Sequence, residues 1–180
     1  MKIILLATLL AVSTPVFAQA PAATSPLAAR LGDPEKKFIK DFTEQHLFEQ
    51  ELVNKAKAKD TANPIGAATG ALYKKVMGDL GKSWTEFATL TQEKKVEITT
   101  TAKTSDRAAA TAVGKLDGVK FEKEFVKVLG KEAKHTDTLL TTAEKSVRDA
   151  EVKAFIEKWA PAFKAHLTEI DAAEKGLKGK

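Results

Sequence analysis

From Asp33 to Leu177 the apolar residues recur at three- and four-residue spacing, and no stretch alternates the way a half-buried strand does. That periodicity restricts the chain to packing helix against helix. Four long stretches carry it. In 34–59 the apolar arc is Phe38, Ile39, Phe42, Leu52, Val53 and Ala56, entered through Asp33 as a cap with Pro34 at the first helical position. In 64–93 it is Ile65, Leu72, Val76, Leu80, Phe87 and Leu90, and Asn63-Pro64 repeats the entry signal. In 120–146 it is Phe121, Phe125, Val128, Leu129, Leu139 and Ala143, after the turn signal Asp117-Gly118. In 149–177 it is Val152, Phe155, Ile156, Trp159, Phe163, Leu167 and Ile170, with Pro161 inside and expected to kink the helix.

Residues 94–119 are polar and β-branched at first, reading as a loop or a short extended piece. Ser105-Asp106 then caps a short helix through about Leu116. The first and last pairs of long helices have short linkers and return antiparallel. The expected fold is therefore all-α, a ferritin-like antiparallel four-helix bundle with a longer connection between the second and third helices.

The first eighteen residues read differently. A lysine, the ten-residue apolar run 3–12, a Ser-Thr-Pro break and Val16-Phe17-Ala18 make a cleaved signal peptide, with the cut after Ala18. Residues 19–33 form a flexible lead-in, 34–177 the bundle domain and 178–180 a frayed tail. No later run is long enough to cross a bilayer, so no transmembrane anchor is expected after cleavage. The mature chain is expected to be exported, periplasmic or secreted, with outer-membrane association open.

Composition excludes much chemistry. There is no cysteine, so disulfides, thiolate metal sites and a cysteine nucleophile are absent. Ten glycines include no phosphate-cradling pattern, and no serine sits in a nucleophile turn. The cations are 26 lysines and only three arginines (Arg30, Arg107, Arg148), spread over many helix faces. Base reading favours arginine and stacked aromatics, so no nucleic-acid partner is expected, and the lysines read as a solvated surface with anionic envelope surfaces as weak partners.

The remaining signal is polar residues on apolar arcs. Glu49 and Glu132 lie at arc centres. His46, His135 and His166 lie at arc edges, each with a glutamate three residues away, and Asp79 and Ser83 sit beside the arc of 64–93. Glu132-x-x-His135 has the order used by two-metal carboxylate bundles, whereas His46-x-x-Glu49 and His166-x-x-Glu169 run the other way, so a complete two-metal set is not present. The bland reading makes these Glu–His pairs local salt bridges on a half-buried seam. The alternative is a metal or small-ligand site using Glu49, Glu132, His135 and His166, with a transition metal ion as its cofactor. The leading expectation is a non-enzymatic envelope protein, without cofactor, acting by binding or interaction with an unknown envelope or protein partner. An enzyme with a one-off site is a third reading, marked by a pocket of convergent polar groups.

Leu116-Asp117-Gly118-x-x-Phe121-Glu122-x-x-Phe125, then Glu151-Val152-Lys153-Ala154-Phe155, then Pro161-x-Phe163-x-x-His166-Leu167, resemble the exported bacterial family called domain of unknown function four-one-four-two. The resemblance covers about 38–177. It implies a ferritin-like bundle and export, and the label "predicted outer membrane protein" travels with it. It places the family's last histidine at His166 and the glutamate of its first helix near Glu49. Two other family histidines do not carry over: one position reads Leu80, after Asp79, and the other falls near Ala133. The resemblance implies no established activity.

Overall fold

A computed structural model describes residues 31–179, and the regular elements of that described part are all helices. Five helices follow in order: α1 Asp33–Ala62, α2 Ala67–Glu93, α3 Thr104–Gly114, α4 Gly118–Ser146 and α5 Ala150–Leu177. The four long ones are the four expected. The short α3, also expected, makes the count five, and the stretch before it, read as a loop or a short extended piece, is a loop. The signal peptide and most of the lead-in lie outside the described residues.

α1 packs on α2, α3 and α4, and α5 packs on α2 and α4. Cross-helix contacts give the directions. Tyr73 and Trp84 of α2 meet Asp60 and His46 of α1, so these two run antiparallel. On α2 and α5, Asp79 meets His166 and Glu86 meets Trp159, again antiparallel. Glu44 meets Lys103 and Lys55 packs at Gly114, so α3 runs parallel to α1. That direction is the purpose of the long connection. It returns the chain along α1 from the end where α2 stops to the end where α4 starts, beside Lys59, which binds Asp117. α2 and α4 consequently run the same way.

The core is a continuous apolar cluster from all five helices, and every apolar residue of the expected arcs is buried or half-buried in it. One half is aromatic. Phe42 has the rings of Phe38, Phe87, Phe155 and Phe163 within 4.8–5.9 Å of its own. Toward the other end Phe121 stacks on Phe125 at 5.7 Å.

Helix starts depart from the expectation at two points. Asp33 does not cap α1. Gly32 holds the cap position and Asp33 is already helical. Nor does Pro64 open α2, which starts at Ala67. The connector is held instead by the Ile65 N–H donating to Asp60 Oδ1, and by Glu122 pressing on Gly66, where a Cβ would lie 2.6 Å from Glu122 Oε2. The Asp117-Gly118 turn is as expected, with Gly118 at φ +54°. α5 continues through Pro161.

The α5 start is capped twice. Asp149 Oδ1 accepts from the N–H groups of Glu151 and Val152, a local cap. Glu35, on α1 and 3% exposed, accepts from the N–H groups of Arg148 and Asp149 at 2.6 and 3.2 Å. Burial acts to raise its pKa, but the backbone donors outweigh it and hold the carboxyl below its ordinary value. Glu35→Ala leaves two backbone donors without partners and should cost about 2 kcal/mol in urea unfolding, with Glu35→Gln retaining about half of that. Equal stability of both variants with the parent would show that water replaces the carboxylate.

Candidate functional site

The polar residues on the apolar arcs separate into three places. Glu49 and Glu132 meet where α1 faces α4. Glu49 is 1% exposed, and its Oε1 accepts from Thr136 Oγ1 at 2.6 Å. The Gln45 amide, one turn earlier on α1, donates to Glu132 Oε2 at 2.9 Å and reaches Glu49 Oε1 at 3.4 Å. One amide therefore ties the two carboxyl groups together. Burial, reinforced by the Glu132 charge and opposed by the Thr136 and Gln45 hydrogen bonds, pushes Glu49 up to about 7.

Glu132 connects this pair to solvent. It lines a polar pocket of about 460 Å³ bounded by α1 and α4 together with Lys103 and Asp106. Lys103 binds Glu44 and Lys37 binds Asp41, so much of the wall charge is already neutralised. Lys131 stands 3.8 Å from Glu132. His135 is exposed and lines the same pocket.

His166 lies elsewhere. It is buried, and its Nε2 is 2.9 Å from Asp79 Oδ2 on α2. Asp79 also takes Lys75 at 3.0 Å, and Lys75 reaches Glu169 at 3.8 Å. Burial lowers the His166 pKa more than Asp79 raises it. Asp79 is itself held low by its His166 and Lys75 hydrogen bonds, which outweigh its burial.

His46 is the third place. Its ring stacks on Trp84 at 4.5 Å, Nδ1 has no partner, and burial lowers it to about 4. It is a neutral aromatic member of the core.

Of the four residues singled out as a metal set, the structure brings Glu49 and Glu132 together, sets His135 at the rim of their pocket, and gives His166 to Asp79. Among the described residues no three carboxylate or imidazole side chains are grouped as a metal ion needs. The local Glu–His salt bridges are corrected: among the described residues none of the three pairs forms a hydrogen bond or ion pair. His46 turns to Trp84 and His166 to Asp79, both on α2, and His135 turns to solvent. Gln45 and Thr136 were not marked by sequence reasoning. Their only signal is position, one turn before Glu49 and one turn after Glu132.

Buried carboxyls opening on a polar pocket within a helical bundle define a class, the helical-bundle proteins of all-α fold. Within it, the chain belongs to the family described as "Domain of unknown function (DUF4142)", whose model matches residues 18–173. No curated protein and no solved structure matches.

Proposed function

We propose that this is an exported binding protein, its four long helices arranged as a ferritin-like bundle, and that the pocket over Glu132 is its binding site. One observation carries the reading: a pocket of about 460 Å³ has at its floor a carboxylate linked by Gln45 to a second, fully buried carboxyl. The size suits a small molecule. The floor accepts hydrogen bonds and carries negative charge, so the ligand presents a cation or several donors. Binding is favoured over catalysis because the wall charges are spent on one another and Thr136 holds Glu49 in place. Export rests on the signal pattern of residues 1–18.

Titration calorimetry of residues 19–180 against small organic diamines and polyamines tests this. Saturable binding is expected, weakened about tenfold to a hundredfold by Glu132→Gln through the lost charge-assisted hydrogen bond, and unchanged by His166→Ala. Silence across the panel, or binding indifferent to Glu132, would sink the reading.

A second reading is supported by the shared pocket of Glu132 and His135, with Glu49 behind. A transition metal ion would take Glu132 and His135 as its two protein ligands, with water completing the set, and His166 stays with Asp79. It predicts stoichiometric metal in chelator-free protein and a melting temperature that drops on metal removal. Both effects should be lost in Glu132→Gln and in His135→Ala.

A further inference from the structure

The net charge of the chain is not evenly spread along the bundle. At the end where α1, α3 and α5 finish and α2 and α4 begin, residues 51–62, 67–77, 114–128 and 170–178 carry eleven lysines against seven acids. At the opposite end, residues 33–44, 83–107 and 137–158 carry eleven lysines and arginines against thirteen acids. One end is therefore +4 and the other −2, with the middle neutral.

At the basic end Asp117, Asp60 and Glu124 are taken by Lys59, Lys74 and Lys127. Lys57, Lys115, Lys120, Lys123, Lys175 and Lys178 are exposed and form no ion pair among the described residues. Lys115 and Lys178 cap helix C-termini and Lys175 lies in the last turn of α5, where a cation stabilises the helix dipole. Lys120 and Lys123 are the opposite case. They occupy the opening turns of α4, whose first turn holds no acid, so the dipole opposes them. Helix stability does not account for them.

Lys123, Lys127 and Lys178 also surround a shallow groove of about 390 Å³ between α4 and α5, with Val126 and Leu177 in its lining and Glu174 as its one acid. We infer that this end of the bundle docks on an anionic phospholipid surface, with lipid phosphates seated among Lys120, Lys123 and Lys178. Charge complementarity selects the partner. The cations are spread across an end face as point charges, matching a plane of headgroups, and among the described residues this end presents neither arginine forks nor an exposed stacking aromatic for nucleic acid. Docking by this end is separate from the pocket over Glu132 and leaves it open to solvent.

The test is co-sedimentation of residues 19–180 with phosphatidylcholine vesicles, with and without about one third phosphatidylglycerol, at about 50 mM salt. Binding to the anionic vesicles alone is expected, with release at about 0.5 M salt. The triple variant Lys120→Glu, Lys123→Glu, Lys178→Glu should weaken binding about a hundredfold. Two of its changes put acids at the start of α4, where they favour the helix, so a loss is not an unfolding artefact. Lys36→Glu, Lys40→Glu, Lys145→Glu, the same charge change at the other end, should keep most of the binding. Equal loss in both triples, equal binding to neutral vesicles, no sedimentation at low salt, or capture by heparin without capture by vesicles would each overturn the proposal.

Discussion

Replacing Phe42 by alanine should destabilise the protein by about 3–5 kcal/mol, the range for emptying a buried phenylalanine site. Phe42 is 1% exposed and sits among the rings of Phe38, Phe87, Phe155 and Phe163, which belong to α1, α2 and α5. Three helices thus lose contacts at once, and rigid aromatic neighbours on separate elements cannot collapse into the space. Phe48→Ala, on the same helix but half-buried, should cost much less. Urea unfolding of both variants measures the difference. A Phe42→Ala loss below about 1 kcal/mol would mean the aromatic half of the core is loosely packed.

The second large effect appears only when pH is varied. His46 falls from 6.5 to about 4 on folding, so protons bind the unfolded chain first, and stability is lost as pH drops through that window. Glu49 rises from 4.5 to about 7, so its contribution is present at low pH and is lost as pH rises through about 7. Each amounts to about 3 kcal/mol and the two have opposite sign, so the parent protein should be nearly flat between pH 4.5 and 6.5. Glu49→Gln removes one side of the balance while keeping an acceptor for Thr136. Its stability should climb by about 3 kcal/mol across that range, with His166, also lowered, adding in the same direction. His46→Phe should do the reverse. Below about pH 4 all three proteins should weaken together as Glu35, Asp79 and Asp149 protonate. Parallel profiles for parent and Glu49→Gln would show that Glu49 does not titrate where its burial places it.

The helices were legible because their signal is local. Phe38, Ile39, Phe42, Leu52, Val53 and Ala56 fall on one face by spacing alone, and all six are buried. The start of the fourth helix was placed near Asp149, whose side chain caps α5 through partners two and three residues away. The misread starts at Asp33 and Pro64 show where local chemistry is overruled. At α1 the cap position falls one residue earlier, on Gly32, and at Pro64 Glu122, from a different helix, presses on Gly66. The candidate site was half legible. Glu49 and Glu132 announce themselves as charged residues at arc centres, whereas Gln45 and Thr136 look ordinary until α1 and α4 are set side by side.

The sequence by itself determined that the regular elements are helices, which face of each long helix is buried, and that Glu49, His46 and His166 sit on or beside those faces. Those properties follow from a 3.6-residue period that any single helix expresses. Only the tertiary structure decided which polar groups meet. Gln45 finds Glu132, Glu49 finds Thr136 and Asp79 finds His166, each across 87 residues of chain. Such pairings depend on the rotation and register of one helix against another. Those in turn depend on α3 climbing beside α1 to set the direction of α4. The same placement leaves a net charge of +4 at one end of the bundle and −2 at the other, a difference that the order of the charges along the chain does not show.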